Sequence, residues 1–90
     1  MLNVTEQAAT MIRDLLDEAD LADGAGLRIA QRDDHTALTM RLCDQPHNDD
    51  VVVVGHDVSV FLGRMAARRT DGQTLDATRT EASAAFYLRD

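Results

Sequence analysis

The side chains best able to hold a metal or move a proton fall close together near the middle of this sequence. Cys43 and His47 are four residues apart, with Asp44, Asp49 and Asp50 beside them. A thiolate, an imidazole and carboxylates can together satisfy zinc or iron. By alternation, however, Cys43 leaves its segment on the face of Thr39 and Arg41, while His47 lies beyond Pro46 in a loop-like stretch. Nothing along the chain pre-organises the two, so no metal ligands are assigned and solvated loop residues are expected. His35 beside Asp33 and Asp34 has the composition of a general base oriented by a carboxylate. It has no evident nucleophile, Thr36 being merely adjacent, and turns commonly hold such residues. The same applies to His56-Asp57 after Gly55. Carboxylate pairs are plentiful because the chain holds 13 aspartates. Gly24-x-Gly26 follows a helix and precedes a strand, the reverse of the order a dinucleotide-binding turn requires. Met11, Met40 and Met65 are expected as core filler. No catalytic, cofactor-binding or metal residues are assigned, and no enzyme is expected.

Composition narrows the functions further. The 90 residues carry nine arginines, no lysine and 16 acids, for a net charge of −7. Without lysine there is neither Schiff-base chemistry nor a phosphate-loop lysine. The negative charge opposes a nucleic-acid backbone or an anionic bilayer, and Arg68-Arg69, the only local basic step, is too short to reverse that field. One cysteine permits no intramolecular disulfide and no paired thiols. The opening Met1-Leu2-Asn3-Val4-Thr5 has no signal-peptide character, and the longest apolar run, Val51–Val54, is far shorter than a membrane span. A single domain over residues 1–90 in a reducing, cytoplasmic setting is expected.

The elements that must position these residues read as α+β. Thr5 suits a helix N-cap, with Glu6 in the first turn and Val4 placed to staple onto Ala9. Ala8, Ile12, Leu15, Leu16 and Ala19 form a stripe at helical spacing, and Arg13 and Asp17 form an i,i+4 pair on the opposite face. Asp23-Gly24-Ala25-Gly26 is expected to stop this helix. The period then changes to two. Leu27 and Ile29, then Leu38, Met40 and Leu42, alternate across a hairpin joined at Asp33-Asp34-His35. Val51–Val54 and Val58–Leu62 form a second hairpin around Gly55-His56-Asp57. Gly63–Arg69 suits a short helix ended by Asp71-Gly72. Thr74–Thr78 and Ala84–Leu88 are further strands. The expected architecture is an N-terminal helix on a strand-rich, partly open sandwich of about six strands with a short second helix. Its core is expected to hold Ile12, Leu15, Leu16, Leu27, Ile29, Leu38, Met40, Leu42, Val52, Val54, Val60, Leu62, Leu75, Phe86 and Leu88.

This order and its local wording resemble the HesB/IscA family, the A-type iron–sulfur carriers. Leu2-Asn3-Val4-Thr5-Glu6-Gln7-Ala8-Ala9 leading into Ile12 is similar to the family's opening helix. Gly26-Leu27-Arg28-Ile29 resembles its first strand. Asp49-Asp50-Val51-Val52-Val53 and Val58-Ser59-Val60-Phe61-Leu62 resemble its acidic-then-valine strand and the one after it. Gln73-Thr74-Leu75-Asp76 and Ala85-Phe86-Tyr87-Leu88 resemble its Leu-Asp step and final aromatic strand. The resemblance implies a HesB-like fold, a role in iron–sulfur cluster assembly, assembly proteins as partners and a homodimer. The family's ligands do not follow. One cysteine belongs between the first two strands, where this chain reads Arg32-Asp33-Asp34-His35-Thr36-Ala37. Two more belong in a Cys-Gly-Cys past the last strand, where the sequence ends at Asp90. Clusters usually take four thiolates. A degenerate, non-catalytic member acting through protein contacts is therefore expected. The alternatives are a mononuclear iron or zinc binder using Asp33, Asp34 and His35 or Cys43 and His47, and an acidic interaction module unrelated to iron.

Overall fold

The computed structural model describes residues 1–32 and 36–90. A short strand β1 (Asn3–Val4) leads through Thr5 into helix α1 (Glu6–Glu18). The Thr5 side chain accepts from the Ala8 N–H at 3.1 Å, as its position ahead of an amphipathic run predicts. Strands β2 (Gly26–Gln31), β3 (Leu38–Cys43), β4 (Val51–Gly55) and β5 (Val58–Leu62) follow, then helix α2 (Arg64–Arg69) and strands β6 (Thr74–Arg79) and β7 (Ala84–Arg89). One sheet has the order β3-β2-β5-β4 and the other β1-β6-β7. β2 pairs antiparallel with β3 and parallel with β5, and β4 closes a hairpin on β5.

Both expected hairpins form. The turn of the second is His56-Asp57, with φ of 51° and 67°, the pair of left-handed residues that matches the twist of the flanking strands. Its β2–β3 counterpart at Asp33-Asp34-His35 lies outside the described residues. Ile12 from α1, Leu27 and Ile29 from β2, Val60 and Leu62 from β5 and Leu75 from β6 meet as the fully buried centre. Ala8 and Ala66 add no exposed area, so both helices approach the sheets closely. Leu15, Leu16, Leu38, Met40, Leu42, Phe86 and Leu88 are partly buried around that centre.

Several expectations need correction. There are seven strands among the described residues, because Asn3–Val4 adds to β6 through Asn3 N–H to Gln73 O at 2.9 Å and Thr5 N–H to Leu75 O at 3.0 Å. Helix α1 ends at Glu18, before the glycines. Asp20 takes a left-handed φ of 54°, and its N–H and that of Leu21 bond to the carbonyls of Asp17 and Leu16. This is a Schellman cap, and it leaves Ala19 exposed rather than in the buried stripe. Arg13 donates to the His56 carbonyl at 2.7 Å, tying α1 to the β4–β5 turn. Met65 is half exposed and is not core filler.

The largest correction concerns β4. Val52 and Val54 are 44% and 68% exposed, whereas Val53 is 6% exposed. Val53 lies opposite Val60, whose other neighbour is Leu27, so the odd-numbered valine shares the core row. Val52 lies opposite Phe61 on the other face. Phe61 is buried apart from the main core cluster, which makes β5 apolar on both faces, as a central strand requires. Truncating Val53 to alanine should therefore cost about 2 kcal/mol. Val54→Thr should stay within about 0.5 kcal/mol. Urea denaturation of the two variants checks the register, and the reverse ranking would overturn it.

Candidate functional site

The described residues singled out for chemistry are His56-Asp57, in the β4–β5 turn, and Cys43, Asp44, His47, Asp49 and Asp50, at or beyond the end of β3. At its start, residues 32–37 connect β2 to β3; Asp33, Asp34 and His35 lie outside the described residues. Arg69, at the end of α2, reaches this connection, donating to the Thr36 carbonyl and to Gln31 Oε1 at 3.3 Å. At its other end, Cys43 pairs with Gly26 and is partly buried as a free thiol. The chain then crosses from one edge of the four-stranded sheet to the other through residues 44–50 before entering β4.

That crossover is tied down by an ion pair on the face of the sheet away from the core. Arg28, Phe61 and Val52 form one cross-strand row there. Arg28 Nε donates to Asp50 Oδ2 at 2.9 Å and Arg28 Nη2 to Asp50 Oδ1 at 3.0 Å, a bidentate contact. The side chains are 16% and 2% exposed. Asp50 Oδ2 also accepts the His47 N–H at 2.9 Å, which closes the loop on itself. The hydrogen bonds from Arg28 hold the Asp50 carboxyl below the usual carboxylate range, with the His47 amide adding to the effect. The same pairing raises Arg28 above its ordinary value.

Cys43, Asp44, Pro46 and His47 share an open hollow of about 590 Å³ with Leu21 and Leu42. The spacing of Cys43 and His47 thus brings them to one depression. Among the described residues, no group of three or more His, Cys, Asp or Glu side chains is placed to hold a metal ion. His56 and Asp57 are exposed turn residues, and Asp49 lies 3.8 Å from Arg64. Asp50, part of the same acidic run, serves Arg28.

Sequence reasoning missed a second polar centre. Asp76 Oδ1 accepts from Thr5 Oγ1 and from the Ala77 N–H, each at 2.8 Å, while Oδ2 accepts from Tyr87 Oη and Arg89 Nε, each at 3.2 Å. Thr5 thereby links the start of α1 to β6 and β7. The donors hold the Asp76 carboxyl at about 2, the Thr5 hydroxyl first among them and the Ala77 amide next. A carboxylate depressed in the folded state contributes stability above its unfolded value near ~3.9, and that stability is lost as pH falls through about 2. Carboxyl-carbon NMR should place the Asp76 midpoint near that value, and Thr5→Val should move it upward. An unchanged midpoint in the variant would remove Thr5 as the main cause. The only trace of this centre in the sequence is the Leu75-Asp76 step.

A shallow groove of about 420 Å³ lies between α1 and β6, with Met11 and Ala77 at its buried floor and Glu6, Thr10 and Arg79 at its rim. Arg79 is engaged with Asp14 at 2.9 Å. Among the described residues, no helix is long and apolar enough to cross a membrane.

The chain's single thiol is Cys43, whereas a cluster is usually held by four thiolates. The β2–β3 ladder runs from Gly26↔Cys43 at one end to Gln31↔Leu38 at the other. At about 3.3 Å per residue, Cys43 sits roughly 17 Å along the strand from the 32–37 connection.

Neither a protein-family model nor a curated protein matches the chain. Solved structures do. Escherichia coli SufA, involved in biosynthesis of iron–sulfur clusters, is similar at 22% identity and a TM-score of 0.79, over 99% of this chain and 84% of that one. IscA, solved with a [2Fe–2S] cluster, is similar at 17% identity and a TM-score of 0.73, over 100% of this chain and 82% of that one. A protein from Aquifex aeolicus solved by solution NMR is similar at 18% identity and a TM-score of 0.73, over 99% of this chain and 90% of that one. The chain has the SufA/IscA fold, as the sequence resemblance implied.

Proposed function

We propose that this chain is a degenerate, non-catalytic HesB/IscA-type protein that serves iron–sulfur cluster assembly through protein contacts without carrying a cluster in the family's manner. The observation that carries this is the position of its sulfur. The connection between β2 and β3, where the resemblance places the first cluster ligand, reads Arg32-Asp33-Asp34-His35-Thr36-Ala37 and has no thiol. The chain's one cysteine stands at the opposite end of the ladder, beside Gly26. Its fold supports the shared scaffold, and one scaffold can serve different tasks once its ligands change. The role includes a cytoplasmic setting, in which an unpaired thiol stays reduced. It also includes a single working domain over residues 1–90 and a homodimer, with no nucleic acid or membrane as partner.

The test of the contact role is chemical cross-linking in the native cell followed by identification of the captured proteins. Cluster-assembly proteins should be enriched over a capture made with an unrelated acidic protein of similar size. A reproducible partner set with no such protein would favour an acidic module unrelated to iron.

A further inference from the structure

Helix α2 carries charge that the fold does not need. Its inward side is Ala66, fully buried, with Ala67 and Thr70, whose hydroxyl bonds back to the Ala66 carbonyl at 2.8 Å. Arg64, Met65, Arg68 and Arg69 fall at i, i+1, i+4 and i+5 and share the outward side. Arg68 and Arg69 complement the negative end of the helix, and Arg69 also holds the β2–β3 connection. Arg64 has no such justification. It stands in the first turn, where the helix dipole disfavours a cation, and no acidic residue accompanies it there. Among the described residues its ion-pair partner is Asp49 at 3.8 Å, with both side chains more than 70% exposed, a pair of little energetic value. Arg68 has no hydrogen-bond or ion-pair partner among the described residues. Between these arginines Met65 is 49% exposed. Asp71, the next acid along the chain, is paired with the Met1 amino group.

From this we infer that the outward side of α2 is a docking surface for an acidic segment of a partner protein carrying an apolar residue that covers Met65. Charge complementarity selects the occupant. Three of the nine arginines concentrate on one short helix of a chain whose net charge is −7. At physiological salt, charges beyond about 8 Å are largely screened, so the helix presents a local positive field despite the acidic remainder. A six-residue helix is about 9 Å long. That suits a short acidic stretch, whereas a nucleic acid would extend past it onto aspartates that repel it. The exposed methionine adds an apolar, adaptable contact suited to a side chain rather than to a phosphate. The patch is small, so the association is weak and transient. The biological meaning of this surface rests on the proposed contact role, but its test reads α2 alone.

The experiment is an NMR titration of the isotopically labelled 90-residue chain with a synthetic peptide of alternating glutamate and leucine, capped at both ends. Amide shifts should concentrate in residues 64–70 and weaken as salt rises. Arg64→Glu with Arg68→Glu should lower the affinity about tenfold or more, and Met65→Ala should lower it several-fold. Arg64→Gln with Arg68→Gln, which removes charge without reversing it, should give an intermediate loss; the amide spectrum of each variant shows whether the fold is intact. Shifts absent from α2, or equal binding by the charge-reversed variant, would overturn the proposal. So would tighter binding of a single-stranded DNA of equal charge. A mass that rises with concentration and is abolished by the same charge reversal would also overturn it, since the occupant would then be a second copy of the chain. A failed titration leaves the cross-linking result untouched, and the converse holds.

Discussion

Gly26→Ala should cost more than about 3 kcal/mol, a large share of the ~5–13 kcal/mol available to a domain of this size. A Cβ at this position would lie 2.4 Å from the Ser59 carbonyl oxygen and 3.0 Å from its carbon and from Phe61 Cζ. The obstacle is the backbone of β5, which cannot step aside without opening the parallel β2–β5 ladder. Phe61 is buried and its ring already fills the space over Gly26, so the aromatic cannot retreat cheaply either. Gly24→Ala is the control. It has a φ of +92° and nothing within 4 Å of the point a Cβ would occupy, so only backbone strain of about 1 kcal/mol is expected. Urea denaturation of both variants separates close approach from conformational freedom. A loss at Gly26 no larger than at Gly24 would contradict the packing of β2 on β5.

The second large effect is at the crossover. Asp50→Ala should destabilise the protein by about 2–3 kcal/mol, below the 3–5 typical of a fully buried broken pair because Arg28 keeps 16% exposure. The substitution strands the Arg28 guanidinium on the sheet and frees the His47 amide, so the 44–50 loop loses its main anchor. Arg28→Met with Asp50→Leu should recover most of the loss, since a well-packed apolar pair avoids the uncompensated charge. The pH dependence has a definite sign. The folded Asp50 carboxyl lies below its unfolded value, so its contribution is intact above pH ~4 and declines as acid protonates it. Asp50→Ala should therefore flatten the stability profile between neutrality and acid. An unchanged profile, or a loss under about 0.5 kcal/mol, would show that the ion pair does not hold the loop.

These two residues explain why one short run is so informative in the sequence. Within Gly26-Leu27-Arg28, the glycine permits close approach of β5, the leucine enters the core and the arginine anchors the loop that follows the next strand, β3. Local patterns suffice for the helix start at Thr5, for the His56-Asp57 turn and for the order of the longer strands, because each depends on neighbours in the chain. The run Val51–Val54 offers no alternation, so its inward residue is set only by the pairing with Val60. The Arg28–Asp50 and Thr5–Asp76 contacts span 22 and 71 residues and leave no periodic trace. Helix α1 stops early because Asp20 adopts the left-handed cap, a conformation that glycine takes more readily and that the sequence suggests at Gly24 instead. The candidate site is legible mainly as a mismatch: the wording of the fold is present while its first thiolate position holds none. The sequence already places Cys43 at the far end of the second strand from the 32–37 connection, and the β2–β3 register, from Gly26↔Cys43 to Gln31↔Leu38, gives that separation its length.

Anaerobic reconstitution tests the central claim most directly. The reduced chain is incubated with ferrous iron, sulfide and thiol, desalted, and measured for visible absorption and retained iron. No charge-transfer absorption and no iron above the blank are expected, for the wild type and for Cys43→Ser alike. Stoichiometric iron with visible charge-transfer bands, lost in Cys43→Ser, would contradict the account and restore the chain to the cluster carriers whose fold it has.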